Sequence, residues 1–134
     1  MQDILVPTSP GELIDKITIL TLKADKISDP AKLANVRHEL AVLSDLAATA
    51  LPHSAGLQSL WDELQQINAA LWVIEDEIRD HDSAGDFGAS FVALARAVYQ
   101  TNDRRAAVKK QINLHLGSAI VEEKSYHEHG IPPQ

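Results

Sequence analysis

Apolar residues recur along this chain at intervals of three and four, the period of an α-helix, in four separate runs. The first run opens on Ser9-Pro10-Gly11-Glu12, which reads as a capping box: Ser9 as N-cap, Pro10 at the first helical position, Glu12 placed to return a bond. Leu13, Ile17, Leu20, Ala24 and Ile27 follow, and Ile14, Ile19 and Leu22 widen the apolar surface beyond one stripe. A helix over about 9–27, buried on two sides, is predicted. Asp29-Pro30 caps a second helix over about 30–51, carrying Leu33, Val36, Leu40, Leu43, Ala47 and Ala50 and stopped by Pro52. The third run is the most regular. Leu57, Leu60, Leu64, Ile67, Leu71, Ile74 and Ile78 predict a helix over about 57–82 with a seam of coiled-coil type, roughly 35–40 Å long.

Asp82-Ser83-Ala84-Gly85-Asp86 reads as a turn, and a fourth helix is predicted over about 87–116, with Gly117 just past its end. Its stripe is Phe87, Phe91, Leu94 and Val98, then the polar pair Asn102 and Arg105, then Ile112 and Leu116. The short connections force neighbours to fold back on each other. The expectation is an all-α protein, one helical domain over 1–134, built as an antiparallel four-helix bundle with long helices 3 and 4. Ile4-Leu5-Val6 and Ala119-Ile120-Val121 are short and β-branched, and could pair as a minor two-stranded ribbon. The segment 129–134, with Pro132-Pro133, reads as a flexible tail.

Composition narrows the function classes. The chain of 134 residues has no cysteine, which removes disulfides, a thiol nucleophile and Cys-based metal sites. A formal net charge of −7 argues against nucleic acid as a partner, because phosphate binding needs a basic surface. Arg104-Arg105 and Lys109-Lys110 form the one local basic cluster. No apolar run reaches the roughly 18 residues of a membrane span, and Met1-Gln2-Asp3 is no basic leader. No membrane insertion and a cytoplasmic location are expected. Helices 1 and 4 carry more apolar surface than one seam uses, and helix 3 outruns helix 1, so a homodimer is expected as well.

Polar residues interrupt the core pattern, and this is where chemistry could reside. Asp15 and Lys16 sit among apolar neighbours on helix 1, Glu75 and Asp76 follow Ile74 on helix 3, and Tyr99, Asn102, Asp103 and Arg105 break the stripe of helix 4. A buried charge is costly unless paired, so these groups should find each other. Arg105 is expected on the core face, with Glu75 as first partner and Asp15 as second. The candidate ligand-binding layer is therefore Glu12, Asp15, Lys16, Glu75, Tyr99, Asn102, Asp103 and Arg105, against the plainer reading of an ion-pair layer that fixes helix register. No metal site and no particular cofactor is read. Glu12 with Asp15, and Glu77 with Asp80, form two Glu-x-x-Asp pairs of the kind that all-α nucleotide pyrophosphohydrolases use for magnesium. With 19 acidic residues, roughly two or three such pairs arise by chance. His127-Glu128-His129 offers two alternate ligands, but a solvated tail is the plainer reading. Trp61 and Trp72 on helix 3 suit core or interface packing better than a pocket.

The segment Ser9-Pro10-Gly11-Glu12-Leu13-Ile14-Asp15-Lys16-Ile17-Thr18-Ile19-Leu20 resembles the opening of a family of small uncharacterised bacterial proteins. The resemblance continues through Leu33-Ala34-Asn35, Ile74-Glu75-Asp76, Tyr99 to Arg105 and Val121 to Tyr126. It implies no activity; its only context is an association with cell-surface polysaccharide synthesis. Helix 1 is also similar in pattern to the first helix of the all-α chorismate mutases, but Gly11 and Glu12 stand where that family has an arginine. The function left by this reading is a non-catalytic interaction or scaffold protein acting as an oligomer. Its alternative is a small-ligand binder or enzyme, pyrophosphohydrolase-like or chorismate-mutase-like, that uses the polar layer.

Overall fold

A computed structural model describes residues 1–126. Its elements are α1 (Pro10–Lys26), α2 (Pro30–Ala50), α3 (Ala55–Ser83) and α4 (Ala89–His115), with no strand among the described residues. The helix starts follow the capping chemistry of the sequence. Ser9 Oγ accepts from Glu12 N at 3.2 Å, Asp29 Oδ2 from Lys32 N at 2.9 Å and Ser54 Oγ from Leu57 N at 3.1 Å, each satisfying a donor the helix leaves free. The capping box on α1 is half made. Glu12 turns its carboxylate to Lys109 Nζ, 2.7 Å away, because a full charge on α4 outcompetes one backbone amide. α3 and α4 end alike: Gly85 (φ 69°) and Gly117 (φ 64°) take the left-handed turn, and Asp86 N and Ser118 N donate back to His81 O and Asn113 O.

The four helices are not equivalent. α1 packs against all three others, α3 pairs with α4 along the hairpin, and α2 packs as a helix on α1 alone. The principal core is Ile14 with Leu57, Leu64, Ile67, Val108 and Ile112, and a second cluster joins Leu13 and Ile17 to Ala47. Trp61 packs against both clusters, so it is a core residue. All of this lies near the end where α1 and α3 begin and α2 and α4 finish. From residue 69 to residue 100, the outer half of the α3–α4 hairpin, no residue is fully buried.

The expected ribbon does not form. Ile4, Leu5 and Val6 are 77%, 91% and 72% exposed. The segment after Gly117 instead lies along α4, where Lys110–Glu123 (2.9 Å) and Lys124–Asp103 (2.7 Å) ion pairs hold it. Two charged anchors on a helix outweigh the pairing of three-residue strands, which is marginal in isolation. The expected tail and His127-Glu128-His129 lie outside the described residues.

Candidate functional site

α4 carries Arg105, Lys109 and Asn113 four residues apart, so all three face one way. α1 runs antiparallel to that face. Its first turn approaches so closely that Gly11 N donates to Asn113 Oδ1 at 2.8 Å. A Cβ on Gly11 would stand 2.6 Å from the Lys109 carbonyl oxygen, so the contact requires glycine. One turn further on, Glu12 meets Lys109, and next Asp15 meets Arg105.

Asp15 is the centre of the layer, 1% exposed. Arg105 Nε donates to Oδ1 at 2.9 Å and its NH2 nitrogen donates to Oδ2, the bidentate fork that suits a carboxylate. Asn68 of α3 donates to the same Oδ1 at 2.9 Å and shares its amide with Thr18 Oγ1, also at 2.9 Å. Thr18 Oγ1 in turn donates to the Asp15 carbonyl oxygen at 2.7 Å. Lys109 Nζ stands 3.7 Å from Asp15 Oδ2 and 3.6 Å from Glu122, so it links α1, α4 and the C-terminal segment. Every buried side-chain polar atom among the described residues has a partner.

Burial pushes the Asp15 carboxyl up, but the hydrogen bonds from Arg105 and Asn68 and the charges of Arg105 and Lys109 outweigh it. The group is held below the ordinary carboxylate range. The hydrogen bond to Asp15 raises Arg105 against the opposing effect of burial. Both shifts deepen the ionised state. Neither leaves a group titrating near neutrality, where an acid or base catalyst works best.

Of the residues the sequence nominated, only Glu12, Asp15 and Arg105 share this layer. Glu75 does not pair with Arg105; it pairs with Arg79 one turn along α3. Counting outward from the turn at Gly85, Arg105 comes level with Asn68, and Glu75 lies roughly two turns nearer the tip. Lys16 points to Glu39 of α2 at 3.5 Å, on the exposed side of α1. Asp103 holds Lys124, while Tyr99 and Asn102 line a cleft of about 480 Å³ with Arg105, Lys109, Lys124 and Tyr126. On the other side of Arg105 a cleft of about 320 Å³ includes Trp72, Glu75, Asp76 and Arg79. The two Glu-x-x-Asp pairs stay apart, and no three acidic or histidine side chains gather as a metal site among the described residues.

Asn68, Thr18, Lys109 and Asn113 were missed. The signal for two of them was present in the four-residue spacing of Arg105, Lys109 and Asn113, a polar ladder beside the apolar stripe. Asn68 sits next to Ile67, which the seam already explains, so nothing drew attention to it.

No helix of the described residues is long and apolar enough to cross a membrane. Comparison with curated proteins and with solved structures yields no match. A family model described as a family of unknown function, DUF6165, matches residues 4–133, and the chain belongs to that family.

Proposed function

We propose that this chain is a non-catalytic helical interaction protein, working in the cytoplasm as a homo-oligomer. The observation that carries this reading is the closed state of the polar layer. Asp15 has its oxygens occupied by Arg105 and Asn68, and its ionisation is locked rather than poised. Such a layer fixes the register of α1 between α3 and α4, a role buried ion pairs can serve at little net gain in stability. Meanwhile large apolar side chains remain on the outside, among them Val42, Leu46, Val73, Phe87, Val92 and Leu114. Surface of that kind on a bundle of this size suits contact with other protein.

A thermodynamic cycle tests the layer. Arg105→Met strands the Asp15 carboxylate and is expected to cost about 3–5 kcal/mol in urea denaturation; adding Asp15→Leu is expected to recover most of that. If Arg105→Met instead leaves stability unchanged, the layer is not what holds the register.

A second reading has one observation in its favour. The remaining guanidinium nitrogen of Arg105 has no partner among the described residues, and Arg105 lines both clefts. A small anion such as a carboxylated metabolite would suit that nitrogen together with Asn102. In that case thermal-shift screening of small carboxylates finds a stabilising compound, and Arg105→Met abolishes the shift.

A further inference from the structure

Two apolar features near one end of the bundle lack a partner among the described residues. The first is the segment before Ser9, where Ile4, Leu5 and Val6 stand 72–91% exposed and no backbone hydrogen bond forms within the described residues. The second is a groove of about 600 Å³ between the end of α2 and the start of α3, walled by Ala47, Ala48, Leu51, Pro52, Leu57 and Trp61. We infer that each is the other's partner across two molecules: Ile4-Leu5-Val6 of one copy packs into the α2–α3 groove of a second copy, and reciprocally.

Four observations carry this. The groove has the volume of a site that encloses several apolar groups, in a range of roughly 300–1,000 Å³, so two or three aliphatic side chains fit. The arm leads into α1 beside it, because Leu13, one turn into α1, shares a buried cluster with Ala47 of the groove wall, and Trp61 of that wall packs against the same cluster. The arm is stiffened. Val6 precedes Pro7 and Ser9 precedes Pro10, and a residue before proline is held extended; Ser9 has φ −84° and ψ 156°. An extended arm of five residues reaches roughly 17 Å, enough to cross to a neighbour. Finally, charge favours this contact over others. Two chains at −7 each repel, yet the arm holds one acidic residue, Asp3, and the groove has no carboxylate in its lining. The family match runs from residue 4, so the apolar triplet falls inside it.

The inference rests on the reading of the chain as an oligomer, and the test separates the two. The chain has no cysteine, so single thiols can be placed cleanly. Asp3→Cys on one chain and Gln58→Cys on another, at the groove rim, are mixed and treated with a short bismaleimide, while light scattering gives the mass of the untreated protein. The expected result is a two-chain mass and a cross-linked pair holding one of each variant. Adding Leu5→Asp to the Asp3→Cys chain is expected to weaken association about a hundredfold and remove the cross-link. Leu5 is so exposed that this change leaves the helical circular dichroism intact. A two-chain mass without the cross-link overturns the arm exchange and leaves the oligomer standing. A one-chain mass overturns both, and a cross-link within a single Asp3→Cys/Gln58→Cys chain shows the arm folded into its own groove.

Discussion

At the scale of single residues, Asp15 decides how the molecule responds to acid. A carboxyl held below its ordinary pKa contributes stability that is complete above its unfolded value and is lost as pH falls through the folded one. Arg105, raised, contributes below its own ordinary value, so its share is constant over any working pH. The wild type has many other carboxylates, and the contrast with Asp15→Asn isolates this one. That substitution is expected to cost about 3 kcal/mol at neutral pH. The penalty should begin to shrink below about pH 4, the ordinary aspartate value, because Asp15 of the unfolded wild-type chain then takes up a proton, and it should vanish once the folded group is protonated at still lower pH. Urea titrations at a series of pH values measure both curves, and parallel curves would place the stabilising charge elsewhere. Gly11 is the second sensitive position. The Lys109 carbonyl is backbone and cannot step aside, so Gly11→Ala is expected to cost about 2 kcal/mol through overpacking. Its measured denaturation midpoint should fall without a change in slope.

At the scale of elements, most of the helix pattern was legible. The caps Ser9, Asp29 and the glycines at 85 and 117 act through their nearest neighbours in sequence, so they can be read without a fold. The partner of Arg105 could not be read that way. It depends on which helix lies beside α4 at that level, and α1, ninety positions away, competes with α3 for the place. The ends were harder still. Ile4-Leu5-Val6 and Ala119-Ile120-Val121 have strand composition, but the ion pairs of Glu122, Glu123 and Lys124 with α4 set the course of the C-terminal segment. These pairs are largely exposed, and such pairs contribute little and are screened by salt. The segment 118–126 is therefore expected to be the first to loosen at high ionic strength. Trypsin should cut after Lys124 several-fold faster in 0.5 M salt than in dilute buffer, a concentration at which screening acts within roughly 4–5 Å, while helix content stays constant.

At the scale of the whole molecule, stability is distributed unevenly along the long axis. Ile14, Leu64, Ile112 and the Asp15 layer all sit in the half near the start of α1, and that half has three helices in mutual contact. In the other half the seam residues Leu71, Ile74, Ile78, Phe91, Leu94 and Val98 are each only half-buried. A two-helix hairpin with one covered face has few apolar contacts to lose on opening, so it should open below the global unfolding free energy. Hydrogen exchange read by mass spectrometry is expected to show two tiers. Amides in 69–100 should exchange well ahead of those in 57–68 and 101–113, although all belong to the same two helices. The concentration dependence of that pattern then bears on assembly. Arm exchange covers the α2–α3 groove and leaves the hairpin tip bare, so raising the protein concentration should slow exchange around residues 47–61 and leave 69–100 unchanged. Protection gained at 69–100 instead would mean that copies meet through the hairpin, where Val73, Phe87 and Val92 are exposed, and that the groove is not the interface.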